Sequence, residues 1–510
     1  MMYYILVLVA VIYLYLKWHF SFWTRKGVYQ MEPSLICGNV SDLLMNRRSI
    51  AKFLDNMYAE FKSKGLKYGG YYEMFKPRFV PVDLDLIKHI LQKDFSYFVN
   101  RGIYCDPKDP LSMNIFNLRN EKWKKLRAKL SPTLSIGRFK SMFPITKACS
   151  DQLRIHLKEL SLSRGYVNIH EVGARFTTEN FGSIAFGIEF NHLRESNLKV
   201  LKICIKNLVG SFATQIKRLI CCNFPEHILR RTGYKTHSSE LTSCFMDLVT
   251  GVIDYREKNN IHKKDFMDVL LQLKNKGNIT DDGDSTSVTQ NGDQDELFLS
   301  VSEVVAQCFV FFIAGMETSS TTIEFALFEL ATHPDIQAKV IQEVKSMLEK
   351  NDNEINFEGL KSLTYTEQVI NETLRLHAPL PALLRICNKD YKIPNSDLII
   401  EEGTMLGIPV SSIHRDSEIY PDPDVFDPDR FTEENIATRH PMAFMPFGEG
   451  PRICIGARFG MTVVKIALAT ILQDFRVTVN EKTQLPLEYS KKSISTRPQG
   501  TIWLNLHPLE

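Results

Sequence analysis

Phe447-Gly448-Glu449-Gly450-Pro451-Arg452-Ile453-Cys454-Ile455-Gly456 sets one cysteine among three glycines, just before a largely apolar helical pattern from Ala457 to Leu472. Glycine permits tight turns and lets a backbone approach a flat ligand closely. A cysteine just ahead of a helix gains thiolate character from the helix N-terminus. No second Cys or His stands at metal-site spacing from Cys454, which disfavours a four-ligand zinc site. Haem iron needs only one protein thiolate on its proximal side, and this pattern suits that role. The second candidate is Glu317-Thr318, which opens six consecutive polar residues, Glu317 to Thr322, inside an otherwise apolar pattern. Either hydroxyls fill a local kink there, or a helix passes beside a bound group with an acid and an alcohol facing it.

Long helices must position both. Ser300-Val301-Ser302-Glu303 matches a capping box, and the helical pattern then runs to His333, where Pro334 stops it. At 1.5 Å per residue that is roughly 48 Å, enough to cross a domain. Helical periodicity also marks Ser49 to Phe61, Lys147 to Leu162, Ser239 to Glu257 and Phe266 to Leu273. Tyr71 to Val82, Asp397 to Val410 and Gly500 to Leu506 have extended character. Residues 275–297 are read as a mobile surface loop, because Asn275 to Asp295 is Asp, Asn, Gly, Ser and Thr with almost nothing apolar.

The 510 residues are 44% hydrophobic and 24% charged, ordinary for a folded chain with a large core. A formal net charge of +3 gives no basic bias of the kind nucleic-acid binding needs. Ten cysteines without a C-x2-C pair exclude a disulfide scaffold and read as reduced thiols in a body facing the cytosol. Tyr3 to Leu16 is unbroken apolar sequence, followed by Lys17, an aromatic stretch to Trp23, and Arg25-Lys26. Residues 1–24 therefore read as an uncleaved single-span membrane anchor with its C-terminal side cytosolic. Residues 25–40 form a hinge and 41–510 the catalytic body. No later stretch is expected to span a membrane.

The F-x-x-G-x-R-x-C-x-G pattern of Phe447 to Gly456 resembles the haem-binding signature of the cytochrome P-450 superfamily. Ala314-Gly315-Met316-Glu317-Thr318 is similar to the oxygen-activation motif, Glu372-Thr373-Leu374-Arg375 to the E-x-x-R helix, and Pro428-Asp429-Arg430-Phe431 to the P-x-R-F segment. Trp123-x-x-x-Arg127 resembles the helix that holds a haem propionate, and all five occur in the family's order. Phe98 to Gly102, Trp123 to Phe143 and Asp265 to Leu273 resemble insect microsomal members that oxidise xenobiotics and plant toxins. Only Pro33 lies where the family has a proline cluster after the anchor, which leaves the stiffness of the hinge open.

The resemblance implies a mainly α fold with small β-sheets and haem b as cofactor. Cys454 is then the axial iron ligand, and Thr318 and Glu317 deliver protons to oxygen at the iron. Glu372, Arg375 and Arg430 form a buried triad. Trp123, Arg127, Arg385, Arg452 and Arg101 hold the propionates. The implied reaction inserts one atom of O2 into a lipophilic small molecule, a xenobiotic, plant toxin or endogenous lipid or hormone. NADPH electrons come through a flavoprotein reductase, with a cytochrome b-type protein as another donor, at the endoplasmic reticulum membrane. Phe309, Phe312, Ile313 and Ala314 are expected on the distal side, with Ala382, Leu383 and Leu384 opposite. Arg101 to Phe116 and Lys202 to Gln215 make the roof. Lys122, Lys125 and Lys129 share the helix face opposite Trp123 and Arg127 and suit an acidic partner. The alternatives are an isomerase or dehydratase of the same fold, and a non-catalytic haem carrier or gas sensor.

Overall fold

Helices form where a capping residue precedes an amphipathic or apolar run. In the computed structural model, which describes residues 1–134, 136–187, 217, 220, 221, 223–263, 265–279 and 296–509, α1 (Met2–His19) buries none of its side chains. Ser49 caps α2 (Ile50–Ser63) by accepting from the Lys52 N–H. α3 (Asn120–Leu130) turns Trp123, Leu126 and Leu130 inward. α4 (Ile136–Ser163) starts well before the expected Lys147 and accommodates Pro144 within it. α5 (Ile169–Phe186) is capped by Asn168, α6 (Ser239–Lys258) by Ser238, and α7 (Phe266–Lys276) by Asp265. α8 (Val301–Thr332) carries both halves of the Ser300–Glu303 capping box. α9 (Pro334–Glu349), α10 (Thr364–Leu376) and α11 (Ala457–Leu472) complete the main set.

Among the described residues three small sheets flank the helices. β1 (Tyr68–Glu73) and β2 (Lys76–Pro81) split the expected Tyr71–Val82 strand into a hairpin. β3 (Tyr166–Asn168) pairs with the last strand. β4 (Leu383–Ile386), β5 (Tyr391–Lys392), β6 (Ile399–Ile400) and β7 (Met405–Ile408) follow α10, and β8 (Phe475–Val479) and β9 (Trp503–Pro508) end the chain. The largest sheet runs β1-β2-β7-β4.

α8 is the central helix; it packs most extensively on α5 and also on α6, α7, α10 and α11. It is long and apolar enough to cross a membrane, contrary to the expectation that no later stretch would be. Its length serves burial within the protein instead, since residues from Val304 to Leu330 fill the core.

Two expectations about connections also change. The segment read as a hinge lies along the sheet: Met31 N–H donates to Gly70 O, Gly70 N–H to Tyr29 O, and Asn39 N–H to Tyr72 O. Phe20, Trp23, Val28 and Val40 are buried beneath it. Of the expected loop 275–297, α7 takes the first two residues, and residues 280–295 lie outside the described residues. Leu297 and Leu299 return by backbone bonds to Gly277 and Leu273.

Candidate active site

The loop from Phe447 to Gly456 is fixed from several sides. Cys454 N–H donates to Phe447 O at 2.9 Å, and Gly448 N–H to Met445 O. Gly450 has φ +72°, and a Cβ there would collide with the Leu91 carbonyl oxygen, so only glycine fits. Cys454 has protein on all sides yet keeps accessible surface, so it lines a cavity. Burial pushes its thiol up; the Gly456 N–H and the charges of Arg101 and Arg127 offset this only in part. The helix N-terminus therefore does not make the thiolate by itself. A cation at the sulfur, as ferric iron would be, would supply the remaining stabilisation.

Four arginines gather beside it. Burial, followed by the charges of Arg101, Arg385 and Arg127, lowers Arg452 to about 8. Burial likewise brings Arg385 to about 9 and Arg101 to about 10. Arg452 donates to the Val99, Ile115 and Leu118 carbonyls and lies 3.9 Å over the Trp123 ring. Arg101 reaches Phe116 O and Arg452 O. Arg385, on β4, donates to the Leu384 carbonyl, and among the described residues its buried Nε has no partner. Among the described residues no carboxylate pairs with any of the four. Such a cluster needs buried anions, and the two propionates of haem meet that need bidentately. The donor set thus fits haem, with Trp123 orienting Arg452.

The E-x-x-R helix forms its triad. Glu372 accepts from Arg375 Nε and Nη2, both at 2.7 Å, and lies 3.5 Å from Arg430 Nε. Arg375 also donates to the carbonyls of His414, Pro423 and Val425. From there the link reaches the cysteine loop: Met445 N–H donates to His414 Nε2 at 3.0 Å. Burial, then the Arg375 charge, lowers His414 to about 3, so it is a neutral acceptor. Nothing in the sequence around Ser412-Ile413-His414 marks that role.

On α8 the acid and the alcohol part company. Thr318 keeps some accessible surface and donates to Ala314 O at 2.7 Å. Glu317 turns away and is buried in a two-pronged ion pair with Arg497, with Ser495 Oγ donating at 3.2 Å. Successive helical residues diverge by about 100°, and here Thr318 lies on the more open side while Glu317 is turned to Arg497. The open face is Val310, Ala314 and Thr318, at intervals of four, with Ile313 beside it. Phe312 and Phe309 are instead core residues packed on Phe245, Phe309 edge-to-face and Phe312 tilted. Gly315 faces α5, where a Cβ would meet the Phe181 ring. Leu380 and Leu384 expose side chains from the segment after α10, whereas Leu383 is half-buried against Gly448. The expected roof segment Lys202 to Gln215 lies outside the described residues. Lys122 and Lys125 are exposed on α3, but Lys129 is half-buried and bonds Asn278, which shortens the basic stripe. Val310, His414 and Arg497 are the residues that sequence reasoning missed.

A family model described as Cytochrome P450 matches residues 36–505. The chain belongs to the cytochrome P450 family. It is 38% identical over 494 residues to "Probable cytochrome P450 6a14" of Drosophila melanogaster, covering 96% of this chain and 95% of the relative. "Cytochrome P450 6a2" of the same fly is 37% identical, covering 97% and 96%. "Cytochrome P450 6k1" of Blattella germanica is 36% identical, covering 95% and 93%. Membership in the P450 family carries haem b as cofactor and monooxygenase chemistry.

Proposed function

We propose that this P450 inserts one oxygen atom of O2 into an uncharged lipophilic small molecule, with a xenobiotic or plant toxin as the favoured class and an endogenous lipid or hormone as the other. Electrons come from NADPH through a flavoprotein reductase. The observation that carries this is the meeting of Cys454 with four arginines that have no carboxylate partners among the described residues. Haem, when bound, supplies the iron at which O2 is reduced. Cys454 would ligate that iron, and Arg101, Arg127, Arg385 and Arg452 would hold the propionates. Thr318 holds a hydroxyl proton beside Ala314 on the cavity face, and Glu317 acts from behind the helix. The apolar lining, Val310, Ile313, Ala314, Leu380 and Leu384, favours substrates without charge.

The exposed α1 suits a single anchor in the endoplasmic reticulum membrane. Lys122 and Lys125 suit salt-dependent docking of an acidic reductase. The deciding experiment is the carbon monoxide difference spectrum of the reduced protein, followed by NADPH consumption and product formation with reductase and a substrate panel. Cys454→Ala is expected to lose both the thiolate-type band and turnover. Retention of that band in the variant overturns the ligand assignment. A band without NADPH consumption favours the isomerase or carrier alternatives.

A further inference from the structure

α8 carries a second polar face that the cavity does not use. Glu317, Thr321 and Glu324 fall at i, i+4 and i+7, one side of the helix. All three are buried, Thr321 and Glu324 completely. Groups sunk this deep normally have every polar atom paired. Among the described residues Thr321 Oγ1 and Glu324 Oε1 have no protein partner, and neither has Thr496 Oγ1, which sits between Ser495 and Arg497. Orphan polar atoms of this kind are satisfied by buried water.

The two ends of this face differ. At one end Glu317 is held by Ser495 and Arg497, next in sequence to Thr318. At the other, Glu324 Oε2 meets His170 Nδ1 at 3.0 Å. His170, the second residue of α5, keeps 31% of its side-chain surface open. Burial pulls its imidazole down, but the Glu324 hydrogen bond and charge hold it above the ordinary value. The charges of Arg497, opposing, and Glu317, assisting, also reach it. A plain structural ion pair would have no use for an open imidazole edge at one end and unsatisfied oxygens along the way.

We propose that His170 and Glu324 form the solvent-side entry for the protons consumed in oxygen reduction, which pass along the Thr321 face of α8 to Glu317 and Thr318. This rests on the monooxygenase reading, in which RH, O2, two flavin-derived electrons and two protons give ROH and H2O. Both protons must cross from solvent into a site lined by apolar residues. His170 and Glu324 touch neither substrate nor cofactor, so their part is to relay, and removing them should affect proton-dependent steps alone.

The test uses full-length holoenzyme with reductase in vesicles, in H2O and in D2O. His170→Asn keeps a donor toward Glu324 but cannot titrate. Thr321→Val keeps the side-chain shape and deletes the orphan hydroxyl without touching an ion pair. Both are expected to lower product formed per NADPH several-fold and to enlarge the solvent isotope effect. The carbon monoxide band, substrate binding and hydroperoxide-driven turnover should stay near parent levels, since a hydroperoxide brings its oxygen already reduced and protonated. Unchanged coupling and isotope effect in both variants overturn the route. Equal loss of hydroperoxide-driven turnover shows a structural role and overturns it as well. A parent enzyme that consumes neither NADPH nor O2 sinks the monooxygenase reading, and the route with it.

Discussion

Glu317 and Arg497, 180 residues apart in the chain, form a buried two-pronged ion pair that fastens the C-terminal segment to the middle of α8. Removing one member of such a pair leaves a buried charge uncompensated, which costs about 3–5 kcal/mol. Arg497→Met should therefore lower the thermal midpoint of the holoprotein sharply, read as loss of the thiolate-type spectrum. The double variant Glu317→Gln with Arg497→Met should recover part of that loss. A single variant as stable as the parent would show that the pair bears no load.

Acid should weaken the cysteine loop through His414. Its folded value, about 3, lies below the ordinary 6.5, so the unfolded chain binds the extra proton between those two values. The contribution of His414 is complete above 6.5 and falls as pH drops toward 3, by at most about 1.4 kcal/mol per pH unit. His414→Gln should be less stable than the parent at neutral pH but should lose less on acidification. Parallel stability curves for the two proteins between pH 7 and 5 would refute this.

Arg385 should contribute to cofactor retention more than to folding, because its buried Nε lacks a protein partner among the described residues. Arg385→Leu is expected to release haem several-fold faster to a haem-scavenging protein. Arg385→Lys should recover only part of the loss, since an ammonium cannot pair a carboxylate bidentately. Haem release at the parent rate in Arg385→Leu would place the propionates elsewhere.

A charged latch joins the loop after Arg101 to the segment before α6. Buried Asp109 accepts from Thr236 N–H at 2.8 Å and meets His237 Nδ1 at 3.1 Å, while Arg119 pairs with Glu226 at 2.7 Å. Separating these segments must break those contacts. Asp109→Asn should speed the substrate-induced spectral change several-fold in stopped flow and reduce its dependence on salt. Unaltered entry kinetics would exclude this seam as the gate.

What the sequence disclosed was local. Capping at Ser300 and the stop at Pro334 are read from neighbouring residues, and α8 obeys both. The glycines around Cys454 and the Glu372–Arg375 spacing act within one turn or one loop, so a motif captures them. Direction was hidden. Helical spacing groups Val310 with Ala314 and Thr318, but only packing against α6 decides that Phe312 faces the core. Arg497 and His414 were illegible because their partners, Glu317 and Met445, come from distant segments.

The weld between residues 20–40 and the sheet decides where the chain can be trimmed. Trp23 packs against Gly70 of β1, and the same sheet ends at β4, which carries Arg385. A shortened protein beginning at Phe20 would shed the exposed apolar helix and keep this underlay intact. One beginning near residue 41 would strip Phe20, Trp23 and Val28 from beneath β1, uncovering apolar surface on an edge strand. Aggregation and poor haem content in the shorter version would then come from the same cut.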